Sequence, residues 1–524
     1  MRSLLVWLMV LGVSSNLHAQ NTKSIAIRNA TIYDGTGKPG IVGDVLIEGQ
    51  RITSVGKELK AGKYDVDIDG ANLVVCPGFI DLHTHCDYGL LEKVGRANKN
   101  YITQGCTTVV TGNCGSGPVD VAAYFKKLEA GGIGSNEIHL APHNSIREQV
   151  MGNANRVPTT EEQAKMEALV EQAMQDGAFG MATGLIYNPG TYSKTDEIAN
   201  LAKAAAKYDG LYASHIRNEG TGLLTAIEEA LAIGKQSGCR VHISHIKASG
   251  QESWGMSGRA VGLIENAQSK GQIVTADQYP YIASSTSLRA TLVPSQYREG
   301  TQKDLVARMD DPLTGPKMKA DIEKNLAGRD GGKRIQIARY SKNPAWQGKN
   351  LTQIAEAEMK EPIDIVLEIE RNGGAQIVNF GMSEEDVRIY MKRPWVATAS
   401  DGGVQSPGNT VPHPRSYGTF PRKIGRYAIE DGTIPVEAAI RSSTGLPAEI
   451  LKLKDRGTLK PGHFADIVIF DPKTFRDTAT FDKPHQYASG VKWVFVNGTA
   501  VIADGQHDAE KLPGKVIRRG EGKP

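Results

Sequence analysis

The stretch Gly78-Phe79-Ile80-Asp81-Leu82-His83-Thr84-His85-Cys86-Asp87 follows Pro77 and passes from a turn signal into a short apolar segment, which reads as a strand. Side chains alternate along a strand, so His83 and His85 point to the same side, where two imidazoles can reach one metal ion. A His-x-His pair alone says little, because histidine is common on surfaces and in cores. It gains weight from further ligand types at the ends of further strands.

Outward from this stretch, the segment from Ser24 to Val75 consists of short alternating runs separated by turns such as Asp34-Gly35-Thr36-Gly37 and Glu48-Gly49-Gln50. The same grammar returns at Ala465 to Asp471 and at Val491 to Gly498. Neither end has enough strands to close a core alone, so residues 20–76 and 450–510 are expected to build one small β-sandwich. Between them the pattern becomes strand, loop, helix, repeated. Strand candidates end at His83 to His85, Val109 to Gly115, Ile138 to His143, Gly180 to Gly184, Tyr212 to His215, Val241 to His245, Val274 to Asp277 and Val396 to Asp401. Helical patterns separate them, for example Glu161 to Gln175, Ser193 to Lys207 and Leu223 to Lys235. Eight strands alternating with helices make residues 77–449 a TIM-like (β/α)8 barrel, a fold of the α/β class whose chemistry sits at the C-terminal ends of the strands. The seventh-to-eighth connection is too long for one helix. Residues 290–394 read as an insertion with helices of its own, such as Ile363 to Glu370 and Glu384 to Met391, serving as a lid or as a fixed extension.

Among 524 residues, 61 basic and 58 acidic side chains give a net charge of +3, which provides no basis for a nucleic-acid or membrane-surface partner. Residues 1–19 read as a secretory signal: Arg2, the apolar run Leu4 to Val13, and Leu17-His18-Ala19 before Gln20. That run is too short to span a bilayer, and no cysteine follows it to carry a lipid anchor. The expected location is outside the cytoplasm, periplasmic or secreted. Residues 511–524 read as a short solvated basic tail. Five cysteines, Cys76, Cys86, Cys106, Cys114 and Cys239, are too few for a disulfide scaffold, and the odd count leaves at least one unpaired within the chain.

His83, His85, Cys114, His215 and His245 close four of the strands, and Asp401 closes the eighth. A buried cysteine is usually core, but Cys114 lies in Gly112-Asn113-Cys114-Gly115, a glycine-flanked loop on the catalytic face. Nitrogen and thiolate ligands together favour zinc. Zinc makes water a nucleophile near neutral pH, and Asp401 has the position of a general base; its other readings are a zinc ligand or a group that orients a histidine. His242, three residues before His245, falls on the opposite side of its strand and reads as packing. His139 is ambiguous between packing and the site. His143 and Arg147 follow the third strand and are candidate substrate contacts, and Lys247 reads as a salt-bridge partner.

These motifs resemble the N-acyl-D-amino-acid deacylases (D-aminoacylases) of the amidohydrolase superfamily. The resemblance covers nearly all of the chain after the signal. It rests on Pro77 to His85, Gly112 to Gly115, Gly184-Leu185-Ile186-Tyr187, Ser214 to Glu219, Ser244 to Lys247, Tyr279-Pro280-Tyr281, Ser400-Asp401-Gly402, His413-Pro414-Arg415 and the turn at Gly462 to Asp466. Relatives elsewhere in the superfamily bridge two metals with a lysine after strand four; Met181-Ala182-Thr183-Gly184 offers none. The resemblance implies a tight zinc on Cys114, His215 and His245, a second, weaker position bordered by His83 and His85, and Asp401 as catalytic acid/base. It also implies that Arg415, Tyr187, Tyr279 and Ser285 lie near the substrate, with Arg415 taking its carboxylate. Cys86 departs from the family pattern. The expected reaction is zinc-dependent hydrolysis of an N-acyl-D-amino acid to a carboxylate and a free D-amino acid. The alternatives are a cyclic amidase or dipeptidase of the same superfamily and, in a different class, a non-catalytic zinc-binding barrel.

Overall fold

The computed structural model describes residues 23–57 and 62–520. The signal segment, residues 1–19, lies outside them. Eight parallel strands form the barrel in two sheets. Phe79–Asp81, Cys106–Thr111 and Asn136–His139 make one; Ala141–Pro142, Gly180–Gly184, Leu211–His215, Arg240–Ile243, Val274–Gln278 and Val396–Thr398 make the other. The third strand contributes to both sheets, broken at Leu140, where Leu140 N–H donates to Thr111 and Phe179 N–H to His139. The barrel closes where Asp401 N–H donates to the His83 carbonyl (2.8 Å) and His85 N–H to that of Gly402 (2.6 Å). The Asp81 carboxylate adds a clasp by accepting from the backbone N–H of both His83 and Ser400.

Barrel strands such as Cys106–Thr111 and Leu211–His215 are buried along their whole length, as parallel strands covered by helices must be. Helix starts carry local signals: Thr159 and Glu162 form a reciprocal cap on Thr160–Gln175. Both chain ends build the sandwich, a nine-stranded mixed sheet in which Ile467–Phe470 pairs with Val74–Pro77. It has its own core, including Ile27, Ile47, Ile52, Ile469 and Phe495.

Two expectations need correction. The insertion is a unit with an antiparallel sheet, Ser284–Ser287, Gln376–Asn379 and Ile335–Arg339, and an apolar core around Ile322, Trp346, Ile365 and Ile377. It therefore begins at Ser284 rather than at residue 290. Glu384–Met391 does not belong to it: Val387, Tyr390 and Met391 join the barrel core, and Asp386 accepts from Gly255 and Ser257 N–H at the start of a barrel helix. The C-terminal tail is not a solvated end over its described residues. Val516 is buried, and Glu137 accepts from Ile517 N–H and donates to Lys515 beside the third strand. Two apolar side chains among the charges, Val516 and Ile517, give the tail a reason to dock.

Candidate metal centre

Cys114 is the hub of the C-terminal face. Its Sγ lies 3.3 Å from His83 Nε2, 3.4 Å from His215 Nδ1 and 3.5 Å from His245 Nε2. Around zinc, bonds of about 2.3 Å to sulfur and 2.0–2.1 Å to nitrogen place tetrahedral ligand atoms about 3.6 Å apart, so this spacing fits the ion. The donors form two groups that share the thiolate: Cys114, His215 and His245, and His83, His85, Cys114 and Asp401. In the first group all three residues are buried; in the second, His85 is exposed. That difference suits one tight and one weaker position.

The outward nitrogens support the same assignment. Three imidazoles turn one nitrogen to Cys114 and the other towards a carboxylate: His83 Nδ1 to Asp277 (3.5 Å), His215 Nε2 to Glu219 (3.8 Å) and His245 Nδ1 to Glu219 (3.0 Å). Metal-ligating histidines characteristically have carboxylate partners that fix the tautomer and orient the ring; here the His245–Glu219 contact is within hydrogen-bonding reach, while His83 Nδ1 and His215 Nε2 face their carboxylates without a hydrogen bond. Asp277 also accepts from His245 N–H (2.7 Å) and pairs with His242 Nε2 (2.8 Å). Lys247 Nζ sits 2.5 Å from Glu219 and 2.8 Å from His245 Nδ1.

Burial lowers His83 to about 4 against the attraction of Asp277, and pushes His215 well below its ordinary value. Both rings are therefore neutral and keep lone pairs for a metal. Burial and the nearby Asp401 charge raise the Cys114 thiol, so a metal has to displace its proton. Burial would raise Asp401, but Arg415 foremost, then His245, His85 and His83, hold it well below the usual carboxylate range. It is ionised at neutral pH.

The backbone is strained where the chemistry converges. Cys114 (φ 51°), His245 (φ 36°) and Asp401 (φ 52°) all lie in the left-handed region, which is unfavourable for residues with a Cβ. Two glycines make the Cys114 loop feasible: a Cβ on Gly112 would lie 2.0 Å from the Leu140 carbonyl oxygen, and one on Gly115 would lie 2.2 Å from Asn144 Oδ1.

Asp401 joins the centre to the expected substrate residues. Its Oδ1 lies 3.1 Å from His85 Nε2 and 3.5 Å from His83 Nε2, and its Oδ2 lies 2.7 Å from Arg415 Nη1. Arg415 is buried, donates through Nη2 to the Ser285 carbonyl (3.2 Å) and lies over the Tyr279 ring. His413 Nδ1 accepts from Arg415 N–H and Nε2 faces the Ala283 carbonyl, which fixes the start of the arginine's helix. Tyr187 packs edge-on to His215 and hydrogen-bonds to Thr286. Ser285 faces Arg415 with its carbonyl; its hydroxyl donates to Ile377 instead.

The His143 ring is fully enclosed against Asn144, Ser193 and Glu197 at the start of the helix His143–Met151. Its neighbour Asn144 faces the centre, bracing Gly184 through both its amide atoms. His242 packs as expected but also bonds Asp277, and His139 belongs to a separate buried group with Thr111 and Pro118. Cys86 is buried and, like the other four cysteines, free.

A barrel with a thiolate–histidine centre and a buried carboxylate at the strand ends is a metal hydrolase of the amidohydrolase type. The amidohydrolase family model (Amidohydro_3) matches residues 67–502. The chain is 35% identical to the D-aminoacylase of Alcaligenes xylosoxydans xylosoxydans over 93% of its own length and 97% of that protein. It superposes on a crystal structure of D-aminoacylase, described as defining a novel subset of amidohydrolases, with a TM-score of 0.81 at 34% identity, covering 94% and 99% of the two chains. It also superposes on the N-acyl-D-glutamate deacylase of Bordetella bronchiseptica, crystallised with zinc and a phosphonate mimic of the tetrahedral intermediate, with a TM-score of 0.80 at 32% identity, covering 95% and 100%. The chain belongs to the amidohydrolase family, in its D-aminoacylase group.

Proposed function

We infer that the protein hydrolyses N-acyl-D-amino acids to a carboxylate and a free D-amino acid, with zinc as cofactor. The observation that carries this reading is the set of three imidazoles, each with one nitrogen at Cys114 Sγ and the other towards a carboxylate, in a chain that matches D-aminoacylase nearly end to end.

Cys114, His215 and His245 would hold the tight zinc, whose chemistry when bound is polarisation of the amide carbonyl and a lowered pKa for water. Asp401, ionised and 8% exposed, can take a proton and return it to the leaving nitrogen. Arg415 has five N–H donors, of which one is given to the Ser285 carbonyl, while Nη1 lies 2.7 Å from Asp401 as an ion pair without a hydrogen bond. The rest of the fork is suited to the α-carboxylate that every such substrate carries. Holding that carboxylate and the scissile carbonyl together fixes the hand at the α-carbon, since exchanging hands sends the side chain into the wall. The test is amine release from N-acetyl-D- and N-acetyl-L-amino acids with zinc-replete protein: turnover of D substrates is expected, and equal turnover of both hands, or none, would refute the reading.

The export reading rests on Arg2, Leu4 to Val13 and Leu17-His18-Ala19, and no helix among the described residues is long and apolar enough to cross a membrane. N-terminal sequencing of the protein recovered outside the cytoplasm should begin at Gln20; an intact Met1 would contradict it.

A further inference from the structure

His139 closes the strand Asn136–His139 and lies outside both donor groups of the metal centre. Its ring is fully buried and packs against Tyr124 and Phe125, with centroids 5.0 and 6.3 Å apart. Its two nitrogens reach opposite ends of one segment. Nδ1 lies 2.7 Å from Thr111 Oγ1, on the last residue of the second barrel strand, and Nε2 lies 3.1 Å from the Pro118 carbonyl. Between those two residues runs the loop that carries Cys114. A carbonyl can only accept, so the ring N–H sits at Nε2. Burial lowers the imidazole to about 4, so the ring is neutral and Nδ1 is left to accept from the Thr111 hydroxyl.

This loop has reason to be clamped. Cys114 is held at φ 51°, a costly conformation for a residue with a Cβ, which persists only where the surroundings over-determine it. The fit to the ring is close at both ends of the loop. A Cβ on Gly112 would lie 3.0 Å from His139 Cε1 and one on Gly117 would lie 3.3 Å from it, so both glycines let the backbone press against the imidazole. The start of the loop is held further: Gly112 N–H donates to Asp87 (2.8 Å), and Thr111 Oγ1 lies 2.5 Å from Glu137 Oε1. Glu137 is itself fixed through its backbone, which donates to the Lys515 carbonyl and accepts from Ile517 N–H. The third strand supplies no ligand to either donor group. Through His139 it supplies a restraint on the loop that does.

We propose that His139 is a positioning residue for the metal centre: by bridging Thr111 and Pro118 it holds the Cys114 loop in the strained form that aims the thiolate at His83, His215 and His245. This rests on the zinc assignment above. The test is zinc affinity at the tight position, by chelator competition, together with the thiolate-to-cobalt charge-transfer band of the cobalt(II) form, on wild type, His139→Leu, Thr111→Val and Thr111→Ser. Loss of a group that orients a metal ligand costs about ten- to a hundredfold in affinity. His139→Leu keeps apolar bulk and removes both polar contacts, and Thr111→Val removes only the hydroxyl; each should weaken zinc by about tenfold or more and diminish the band. Thr111→Ser keeps the hydroxyl and should bind zinc as wild type does. Ile27→Ala, in the core of the sandwich, should lower thermal stability and leave both readouts unchanged, which separates positioning from general destabilisation. Thr111→Val keeps the proposal testable if His139→Leu fails to fold. Wild-type zinc affinity and an unchanged band in a folded His139→Leu or Thr111→Val protein would overturn it, as would equal losses in Ile27→Ala. A wild-type cobalt form without a thiolate band would overturn the zinc assignment and the proposal together. Neither readout involves substrate, so failure to hydrolyse any N-acyl-D-amino acid would refute the deacylase reading, while the positioning role stands or falls on the zinc affinities.

Discussion

Asp277→Asn tests whether the outer carboxylates support the metal centre. Burial would raise this carboxyl, but His83 and His242 hold it below the ordinary carboxylate range, so it is charged at neutral pH. It contacts three groups: His245 N–H at 2.7 Å, His242 Nε2 at 2.8 Å and His83 Nδ1 at 3.5 Å. Asparagine matches its shape and can keep the His245 bond through its oxygen. Its amide N–H2 then faces the two rings. His242 can adapt by exchanging tautomers, because Thr275 Oγ1 beside its Nδ1 can donate or accept. His83 has no such exchange available without protonating the nitrogen that faces Cys114. Loss of the outer partner of a ligating histidine costs about ten- to a hundredfold in metal affinity or activity. That range corresponds to about 1.4–2.7 kcal/mol. The weaker position, which uses His83, should lose the upper end, and the tight position, which Asp277 supports only through the His245 backbone, the lower end. The assay is zinc affinity by competition with a chromophoric chelator, with far-UV circular dichroism to confirm folding. A folded Asp277→Asn protein binding zinc within twofold of wild type at both positions would refute the reasoning.

The remaining predictions concern single groups. Asp401→Asn should keep the tight zinc on Cys114, His215 and His245 and lose about a hundred- to ten-thousandfold in kcat, as expected for a general base; near-normal kcat would remove that role. Arg415→Ala should cost about 2–5 kcal/mol in kcat/KM for N-acetyl-D-amino acids, a loss that amides lacking the carboxylate should not show to the same degree. Lys423 is fully buried with no hydrogen-bond partner for its ammonium among the described residues, and burial lowers it to about 7. Its unfolded-state value is near 10.4, so the unfolded chain binds the extra proton between the two values: stability is lost as pH falls from about 10 to 7 and changes no further below. Lys423→Met should therefore stabilise the protein at pH 7, by up to about 5 kcal/mol, with a gain that shrinks towards pH 10 in thermal unfolding.

The ligands were legible because each closes a short apolar strand, and a barrel gathers strand ends at one face: His83, Cys114, His215, His245 and Asp401 come from five strands to one centre. What supports them was less visible. Asp277 ends a recognisable strand, and an acidic residue at that position was a usable signal, but its importance lies in cross-strand distances to His83 and His245. Glu219 works through a loop that folds back on His245 and Lys247. The choice between His143 and Asn144 depends on the phase of a helix start, which neighbouring polar residues do not reveal. The insertion edge was misplaced because Ser284–Ser287 has no apolar alternation and pairs only with a strand some ninety residues on, while Glu384–Met391 belongs to the barrel through packing that periodicity cannot assign.

The most direct test is to strip the protein of metal and titrate zinc back while recording amine release from an N-acetyl-D-amino acid and its L enantiomer. Activity on the D substrate should rise to a break at one zinc per chain, the L substrate should stay near baseline throughout, and Cys114→Ala should show no such rise. Full activity after chelation, a Cys114→Ala protein that regains activity at the same stoichiometry, or equal rates for the two hands would contradict a D-selective amidohydrolase centred on the Cys114 thiolate.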